Sequence, residues 1–192
     1  MSTVDGAHGA LVLGHGAGGG IAARDLAAAA GAARSAGFSV ALVEQPYRVA
    51  GRRSPAPAAQ LDTAWITVVQ SLAQGGLRGV PIVTGGRSSG ARVACRTAAA
   101  VGAAGVVCLA FPLVPPARAG KPPAPSRLPE LDAVTVPTLV LQGASDRFGM
   151  PPGAANRTVV QLRGDHSLRT DLVALAAAVA EWLAHLPLAS KP

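Results

Sequence analysis

The sequence of 192 residues has few aromatic side chains, little charge and almost no lysine. Aromatic residues make up 3% and charged residues 14%, whereas hydrophobic residues reach 49%. A disordered chain needs low hydrophobicity and high charge, so this composition excludes that class for most of the sequence. Because aromatic residues are scarce, the core must be built mainly from valine, leucine and alanine.

The sequence also lacks an apolar run as long as a membrane-spanning helix, which needs roughly 18–20 residues. Alanine-rich stretches such as residues 26–33 are soon interrupted by arginine, glycine or serine. The N-terminus has neither the basic segment nor the long apolar stretch of a secretory signal. We therefore expect no membrane partner and, by default, a cytoplasmic protein. At about 100–200 residues per domain, residues 1–192 are predicted to form a single α/β domain.

Clustered basic residues are absent as well, although the formal net charge is +7. The arginines are scattered from Arg24 to Arg169 and form no run longer than Arg52-Arg53. Nucleic-acid binding needs a concentrated basic surface, often with aromatic residues that stack on bases. We therefore expect no nucleic-acid partner. The two cysteines, Cys95 and Cys108, have no metal-ligand spacing and lie in apolar sequence, which is typical of small buried hydrophobic side chains.

Short apolar segments alternate with segments of helical length. Strands are predicted over residues 10–13, 38–43, 80–84, 106–110, 137–141 and 157–162. Helices are predicted over residues 21–36, 58–73, 91–101 and 168–186, whereas the loop with Pro46 and the proline-rich segment 112–129 are predicted to be irregular. Strands that are apolar throughout are buried on both faces. The alternation therefore predicts a three-layer α/β fold, with a mostly parallel sheet of about six strands between helices.

The first of two glycine-rich turns, residues 14–19, has the sequence GHGAGG. It matches G-x-G-x-x-G, follows a predicted strand and precedes a predicted helix, and Glu44 ends the next strand. These features fit a dinucleotide-binding Rossmann turn, with phosphates at the helix N-terminus and Glu44 on a ribose. The motif is short, however, and a glycine-rich chain produces it easily.

The second glycine-rich turn, residues 86–90, has the sequence GRSSG. It matches G-x-S-x-G and lies between a predicted strand and a predicted helix, which is the context of a nucleophile elbow. Glycines are needed there because side chains would collide with the strand and the helix. Ser88, at the centre of the motif, is the predicted nucleophile.

A Ser-His-Asp triad on this architecture runs in the order serine, acid, histidine. After the predicted nucleophile the sequence has only two histidines, His166 and His185. His185 falls in the predicted last helix, whereas His166 lies in the loop before it, at the edge of the sheet where a catalytic base must lie. His166 is therefore the predicted base.

Four acidic residues lie between the predicted nucleophile and the predicted base: Glu130, Asp132, Asp146 and Asp165. Glu130 and Asp132 precede a strand and so belong to the wrong end of the sheet. Asp165 is adjacent to the histidine in sequence and is poorly placed to orient its imidazole. Asp146 directly follows the strand 137–141 and is the predicted acid of the triad.

Acyl transfer also needs backbone N–H groups that stabilise the developing oxyanion. In a fold with a nucleophile elbow, one donor is the residue after the nucleophile and the other lies in the loop after an early strand. The predicted donors are the N–H groups of Ser89 and Ala17. His15 precedes the elbow in sequence, so we expect it to hold this loop rather than to act as the base.

These segments together resemble the α/β-hydrolase superfamily, close to its dienelactone-hydrolase-like branch. More narrowly, they are similar to a small group that includes a testis-expressed protein and a subunit of a chromatin-acetyltransferase (NSL) complex. The resemblance rests on residues 13–19, 44–53, 85–92, 142–149 and 164–166, and covers the chain from about residue 10 onward. It implies an α/β-hydrolase fold with Ser88, Asp146 and His166 as the triad, and it fixes no substrate.

The segment 111–136, where such hydrolases usually carry a cap domain, is short and contains seven prolines. We expect no cap domain and an open site suited to small esters. Arg87 beside the nucleophile, with Arg48, Arg52 and Arg53 on a loop at the same edge, could favour an anionic acyl group. The other interpretation is that these arginines are solvated or pair with Glu44 and its neighbours.

The predicted function is that of a serine esterase that forms an acyl-enzyme and needs no metal or organic cofactor. Its expected partner is a small-molecule ester, and no oligomeric state is indicated. Two other functions stay open: a binding or scaffold module on a hydrolase fold, because fold alone does not give activity, and the dinucleotide-binding protein described above.

Overall fold

The computed structural model describes residues 1–116, 120, 122 and 124–188. In these residues, strands and helices alternate along most of the chain. The strands are β1 (Gly9–Gly14), β2 (Phe38–Val43), β3 (Ile82–Arg87), β4 (Gly105–Leu109), β5 (Thr138–Gly143) and β6 (Arg157–Leu162). The helices are α1 (Arg24–Ser35), α2 (Pro46–Val49), α3 (Ala58–Gln74), α4 (Ser89–Thr97), α5 (Leu128–Asp132) and α6 (Leu172–Ala184).

The strands form one sheet in the order β2-β1-β3-β4-β5-β6, and every neighbouring pair is parallel. Helices α1 and α6 pack on one face of this sheet, whereas α3 and α4 pack on the other. The structure therefore confirms the predicted three-layer arrangement of a six-stranded parallel sheet between helices. Because all strands are parallel, their carboxyl ends meet at one edge, and the loops that carry chemistry in such folds lie there.

The core is built mainly from small aliphatic side chains, as the composition predicts. Strands β1, β4 and β5 are buried along their whole length. Strand β6, at the edge of the sheet, is only partly buried, so its apolar sequence does not mean burial on both faces. Cys95 and Cys108 are buried and free, which confirms their predicted role as small hydrophobic side chains.

Two short helices lie in segments that were predicted to be irregular. Helix α2 begins at Pro46, and α5 has Pro129 in its first turn. Proline is tolerated there because the first N–H groups of a helix have no carbonyl partner within it. The prediction of irregular structure was therefore wrong at residues 46–49 and at the end of the segment 112–129.

The boundaries at the second glycine-rich turn also differ from the prediction. Strand β3 continues to Arg87, and α4 begins at Ser89 rather than at residue 91. The turn from strand to helix is thus made at a single residue, Ser88. Among the described residues between β4 and β5, only the short helix α5 is regular, and these residues contain no cap domain.

None of the helices in the described part of the chain combines the length and the apolarity needed to cross a lipid bilayer.

Helix α4 crosses β1 at very short range, and glycines make this possible. A Cβ atom added to Gly90 would overlap the carbonyl oxygen of Gly14 and lie 2.9 Å from that of His15. One added to Gly86 would lie 2.5 Å from the same Gly14 oxygen. These contacts are with backbone atoms, which cannot rotate away.

The Gly90→Ala substitution is therefore expected to destabilise the protein by about 2–4 kcal/mol, because α4 must move away from β1. The matched control is Gly31→Ala in the middle of α1, where an added Cβ meets no atom within 4 Å. That control should stabilise by about 0.5–1 kcal/mol, since alanine is the better helix former. Urea unfolding of the three proteins measures both effects. Equal stability of the Gly90 variant and the unmodified protein would contradict this account of the crossing.

Candidate active site

Ser88 occupies the sharp turn between β3 and α4 with a strained backbone. Its φ angle is 52° and its ψ angle −108°, a backbone conformation that residues other than glycine rarely adopt. The N–H of Ser88 donates to the carbonyl of Leu109 at the end of β4, at 2.8 Å. The turn is thereby fixed between two central strands, and its hydroxyl lies at the carboxyl edge of the sheet.

Two loops at the same edge bring His166 and Asp146 to this hydroxyl. The Nε2 atom of His166 lies 2.9 Å from Ser88 Oγ, and its Nδ1 atom lies 2.8 Å from Asp146 Oδ2. Because an ionised carboxylate only accepts hydrogen bonds, Nδ1 carries the proton and Nε2 is free to accept one from the serine. The three predicted residues thus form a continuous chain of hydrogen bonds.

The carboxylate of Asp146 is fully enclosed and held by two further donors. Its Oδ1 atom accepts from the N–H of Phe148 at 2.9 Å, and Oδ2 accepts from Gln142 Nε2 at 2.8 Å. The ring of Phe148 packs against the imidazole of His166, with 4.4 Å between ring centroids. These contacts fix the position of the acid and of the histidine ring.

His15 organises the loop after β1. Its Nε2 atom accepts from the N–H of Gln45 at 2.9 Å, so its Nδ1 atom carries the proton and donates to the carbonyl of Gly16 at 2.8 Å. The side chain is completely buried. These bonds agree with the structural role that was predicted for His15.

The peptide between Gly16 and Ala17 takes its orientation from these bonds. The Gly16 carbonyl accepts from His15 Nδ1 and from the N–H of Gly19, and in a trans peptide the adjacent N–H points the opposite way. The carbonyl of Ala17 is held in turn by the hydroxyl of Tyr47 at 3.0 Å. Ala17, Ser88 and Ser89 all line one cavity at this edge of the sheet. The Ser89 N–H belongs to the first turn of α4, where no intrahelical acceptor is available.

Arg87 points to the other face of the sheet and does not line this cavity. Its Nε atom lies 2.8 Å from Oδ2 of Asp25, in the first turn of α1. Its Nη2 atom donates to the backbone carbonyl of His166 at 3.1 Å. Burial raises the pKa of the Asp25 carboxyl, although the charge of Arg87 opposes this shift. Arg87 thus has a buried counterion, which agrees with the interpretation of a paired arginine rather than with that of an anion-binding one, although its partner is Asp25 and not Glu44.

Substitution of Arg87 by methionine is expected to lower kcat about 10- to 100-fold with little change in KM. The reason is that the loop carrying His166, the predicted base, loses an anchor, and small displacements of a group that acts in catalysis are costly. The variant should also lose about 3–5 kcal/mol of stability, since Asp25 is left buried without a charged partner.

The double variant Arg87→Met/Asp25→Leu separates the two effects. It should recover most of the stability, because an apolar pair replaces the ion pair, but kcat should stay low. Steady-state kinetics with p-nitrophenyl butyrate and urea unfolding provide the two readouts. Recovery of kcat in the double variant would mean that the ion pair serves stability alone.

A cavity of about 320 Å³ opens beside Ser88 at the carboxyl edge. Arg48, one of the two arginines considered for binding an anionic substrate, lies half-buried on α2 and is not among the residues that line the cavity. The wall is formed by α3, α4, the segments before α3 and α5, and the loops after β1, β4 and β5. The cavity is lined by Ala17, Pro55, Ala56, Ala58, Leu61, Ser88, Ser89, Arg92, Arg96, Pro112, Arg127 and Phe148.

Ion pairs join the helices in this wall. Glu130 of α5 accepts from Arg92 Nε at 2.8 Å, and Asp62 of α3 accepts from Arg96 Nε at 2.8 Å. Arg96 also contacts Glu130 at 3.4 Å. Burial alone would raise the pKa of Glu130, but the hydrogen bonds and charges of Arg92 and Arg96 hold it below its ordinary value.

The residues with a part in the site that were missed in the sequence include Asp25, Gln142 and Arg127. Gln142 had a signal, since it is the polar residue near the end of an otherwise apolar strand. Asp25 had a weaker one, as the acidic residue in the first turn of an alanine-rich helix. Arg127 lies in the proline-rich segment and had none.

The amino-acid sequence matches a protein family described as "Alpha/beta hydrolase domain" over residues 7–173. The chain belongs to this family. The match includes both glycine-rich turns, Asp146 and His166, and therefore covers every part of the site described above. Among curated proteins, no sequence matches this chain.

Several solved structures share the fold at low sequence identity. XC6422 from Xanthomonas campestris, described as an α/β serine hydrolase without lid, is 19% identical with a TM-score of 0.72, over 100% of this chain and 88% of that one. Dienelactone hydrolase from Anabaena variabilis is 18% identical with a TM-score of 0.75, and the match covers 96% of this chain and 89% of that one. Est1E from Butyrivibrio proteoclasticus, solved with ferulic acid bound, is 16% identical with a TM-score of 0.74, and the match covers 94% of this chain and 90% of that one.

Membership of the hydrolase family does not favour the dinucleotide-binding interpretation of residues 14–19. The sheet order places β1 between β2 and β3, whereas the Rossmann order is 3-2-1-4-5-6. Helix α1 begins only at Arg24, several residues after the last glycine of the motif. The turn therefore does not place a helix N-terminus directly at its glycines.

Proposed function

We propose that this α/β hydrolase is a serine esterase that cleaves small carboxylic esters through an acyl-enzyme. The observation that carries the proposal is the continuous chain of hydrogen bonds from Ser88 Oγ through the His166 imidazole to Asp146. Its geometry matches the roles of nucleophile, base and orienting acid. The protonated Nδ1 leaves Nε2 in the state that a general base requires.

The reaction begins when Ser88 Oγ attacks the ester carbonyl carbon while His166 Nε2 takes the hydroxyl proton. The tetrahedral intermediate collapses as the C–O bond to the alcohol breaks, and His166 returns the proton to the departing alkoxide oxygen. Water then attacks the acyl-enzyme with the same histidine as base, which releases the carboxylic acid. Asp146 stabilises the imidazolium in both halves of the reaction.

The negative charge of each tetrahedral intermediate is proposed to develop between the N–H groups of Ala17 and Ser89. Two contacts support this role: His15 fixes the peptide that carries the Ala17 N–H, and the Ser89 N–H lies at the N-terminus of α4. The helix dipole adds a favourable potential for an anion at that point. Donors of this kind are each worth about 10²–10³ in rate.

Small substrates are proposed because the cavity has a small volume and lies open at the edge of the sheet. Its volume of about 320 Å³ is at the lower end for ligand sites. The expected absence of a bound cofactor remains part of the proposal, as does the narrower similarity to the testis-expressed and NSL-subunit group.

The test is reaction of the unmodified protein with a fluorophosphonate probe, followed by mass spectrometry of the labelled peptide. The label is expected on Ser88, and p-nitrophenyl acetate and butyrate should be hydrolysed faster than the laurate ester. A protein that neither takes the label nor hydrolyses any of these esters would instead be a binding or scaffold module on a hydrolase fold.

A further inference from the structure

The cavity beside Ser88 contains more positive than negative charge. Three arginines line it, Arg92, Arg96 and Arg127. The carboxylates of Asp62 and Glu130 pair with Arg92 and Arg96, at the distances given above. The third guanidinium, that of Arg127, has no share in this network of ion pairs.

The acidic residues of the whole chain can be accounted for. All ten of them lie within the described ranges, so no acidic side chain is hidden in the remaining segments. In the described residues, the arginines in ion pairs are Arg87, Arg92, Arg96 and Arg157. Arg127 therefore has no carboxylate counterion among the side chains of its own chain.

Arg127 is also partly removed from water. Burial and the positive charge of Arg92 lower the pKa of its guanidinium, whereas the charge of Glu130 acts the other way with a smaller effect. A partly buried cation loses hydration that a hydrogen-bonded anion can replace. An anion in the cavity would thus find a site whose charge is not yet compensated.

The position of Arg127 is fixed before any ligand arrives. Its Nη1 atom donates to the carbonyl of Pro112 at 3.0 Å, and its backbone N–H donates to Leu113 at 2.8 Å. Pro112 lines the same cavity, so this anchor holds the guanidinium at the cavity wall. Its remaining N–H groups form the planar fork that suits a carboxylate, at a lower entropic cost than for a mobile side chain.

We propose that Arg127 forms an anion subsite, which binds a carboxylate carried by the ester substrate at a point remote from the carbonyl that Ser88 attacks. The proposal rests on the proposed esterase function and gives it a substrate class, namely esters with an anionic group. It moves the anion-binding role from Arg87 and Arg48 to a residue of the cavity itself.

The test uses two esters of equal chain length, mono-p-nitrophenyl adipate and p-nitrophenyl hexanoate, which differ in a terminal carboxylate. The kcat/KM for the adipate ester, divided by that for the hexanoate ester, is expected to fall about tenfold or more in Arg127→Ala. Most of this change should come from a higher KM for the adipate ester. Arg127→Lys, which keeps the charge but not the fork, should fall between the two. The control Arg78→Ala removes an exposed charge before β3, at the opposite end of the sheet, and should leave the ratio unchanged.

An unchanged ratio in Arg127→Ala would overturn the subsite and leave the esterase function intact. If the unmodified protein hydrolyses neither ester, the esterase function fails, and a binding measurement decides on the subsite separately. In that measurement, monomethyl adipate is titrated calorimetrically into Ser88→Ala with and without Arg127→Ala. Affinity at least tenfold weaker without Arg127 supports the subsite, whereas equal affinity or no binding to either protein overturns it.

Discussion

Replacement of Ser88 by alanine is expected to lower kcat/KM for p-nitrophenyl butyrate by about 10⁶-fold and to abolish fluorophosphonate labelling. Without the hydroxyl no acyl-enzyme can form, and His166 has no nucleophile to deprotonate. The residual rate should still exceed that of water by about 10³- to 10⁴-fold, because substrate binding and the proposed oxyanion donors remain. Single-turnover kinetics at high enzyme concentration can measure such a residual rate.

The adjacent serine provides the control for this prediction. Ser89→Ala keeps the backbone N–H that is proposed to bind the oxyanion, so this variant should still be labelled by the fluorophosphonate probe. Alanine and serine both carry a Cβ atom and so have a similar steric cost at a φ of 52°, so the strained turn should survive in Ser88→Ala. Similar midpoints of thermal unfolding would establish this. Labelling of Ser88→Ala, or its loss in Ser89→Ala alone, would assign the nucleophile to Ser89.

Substitution of Asp146 by asparagine is expected to lower kcat by about 10⁴-fold. Both carboxylate oxygens accept hydrogen bonds, from Phe148 at Oδ1 and from Gln142 and His166 at Oδ2. An amide group must present a donor at one of these positions. If that donor faces His166, the imidazole shifts its proton to Nε2 and can no longer take one from the serine.

The matched control for Asp146→Asn is Asp165→Asn, next to His166 in sequence. Asp165 is exposed, and its carboxylate caps the turn at Ser167 through the N–H and the hydroxyl of that residue. Its substitution should change kcat less than threefold. Steady-state kinetics of both variants, with thermal unfolding as a check on folding, show which of the two aspartates acts as the acid of the triad. A larger loss in Asp165→Asn than in Asp146→Asn would reverse the assignment of the acid.

The sheet could be predicted from the sequence because its signals are local. A buried parallel strand is a continuous apolar segment, and each of the six predicted strands overlaps an observed one. Helix α5 could not be predicted, because its proline-rich sequence argues against a helix unless the proline happens to fall in the first turn. The extent of β3 was missed because Gly85 and Gly86 read as a turn, although both are paired in the sheet with β4.

The elbow and its partners could be located because chain order and strand ends restrict them strongly. The glycines around Ser88, and the positions of Asp146 and His166 after their strands, needed no knowledge of side-chain directions. That these residues lie within hydrogen-bond distance is an observation, whereas their catalytic action stays a prediction.

The direction of a side chain could not be derived in the same way. Arg87 adjoins the nucleophile in sequence, yet it is the last residue of β3 and its guanidinium reaches Asp25 on α1. Arg127 is distant from Ser88 in sequence and reaches the cavity because Pro112 and Leu113 anchor its loop. The directions of both arginine side chains depend on contacts between segments that are distant in sequence, and no local sequence pattern encodes such contacts.

The distribution of acidic residues has a consequence for encounters in solution. Most of the acidic side chains are held by partners within the chain: Asp25, Asp62, Glu130, Asp132, Asp146, Asp165 and Asp171. The net charge of +7 means that arginines dominate the field around the molecule, although five exposed carboxylates offset part of it, those of Asp5, Glu44, Asp132, Asp165 and Glu181. Such a field attracts anionic molecules over a Debye length, about 8 Å at physiological ionic strength. Anionic esters should thus reach the protein faster than neutral ones, and added salt should remove that kinetic advantage.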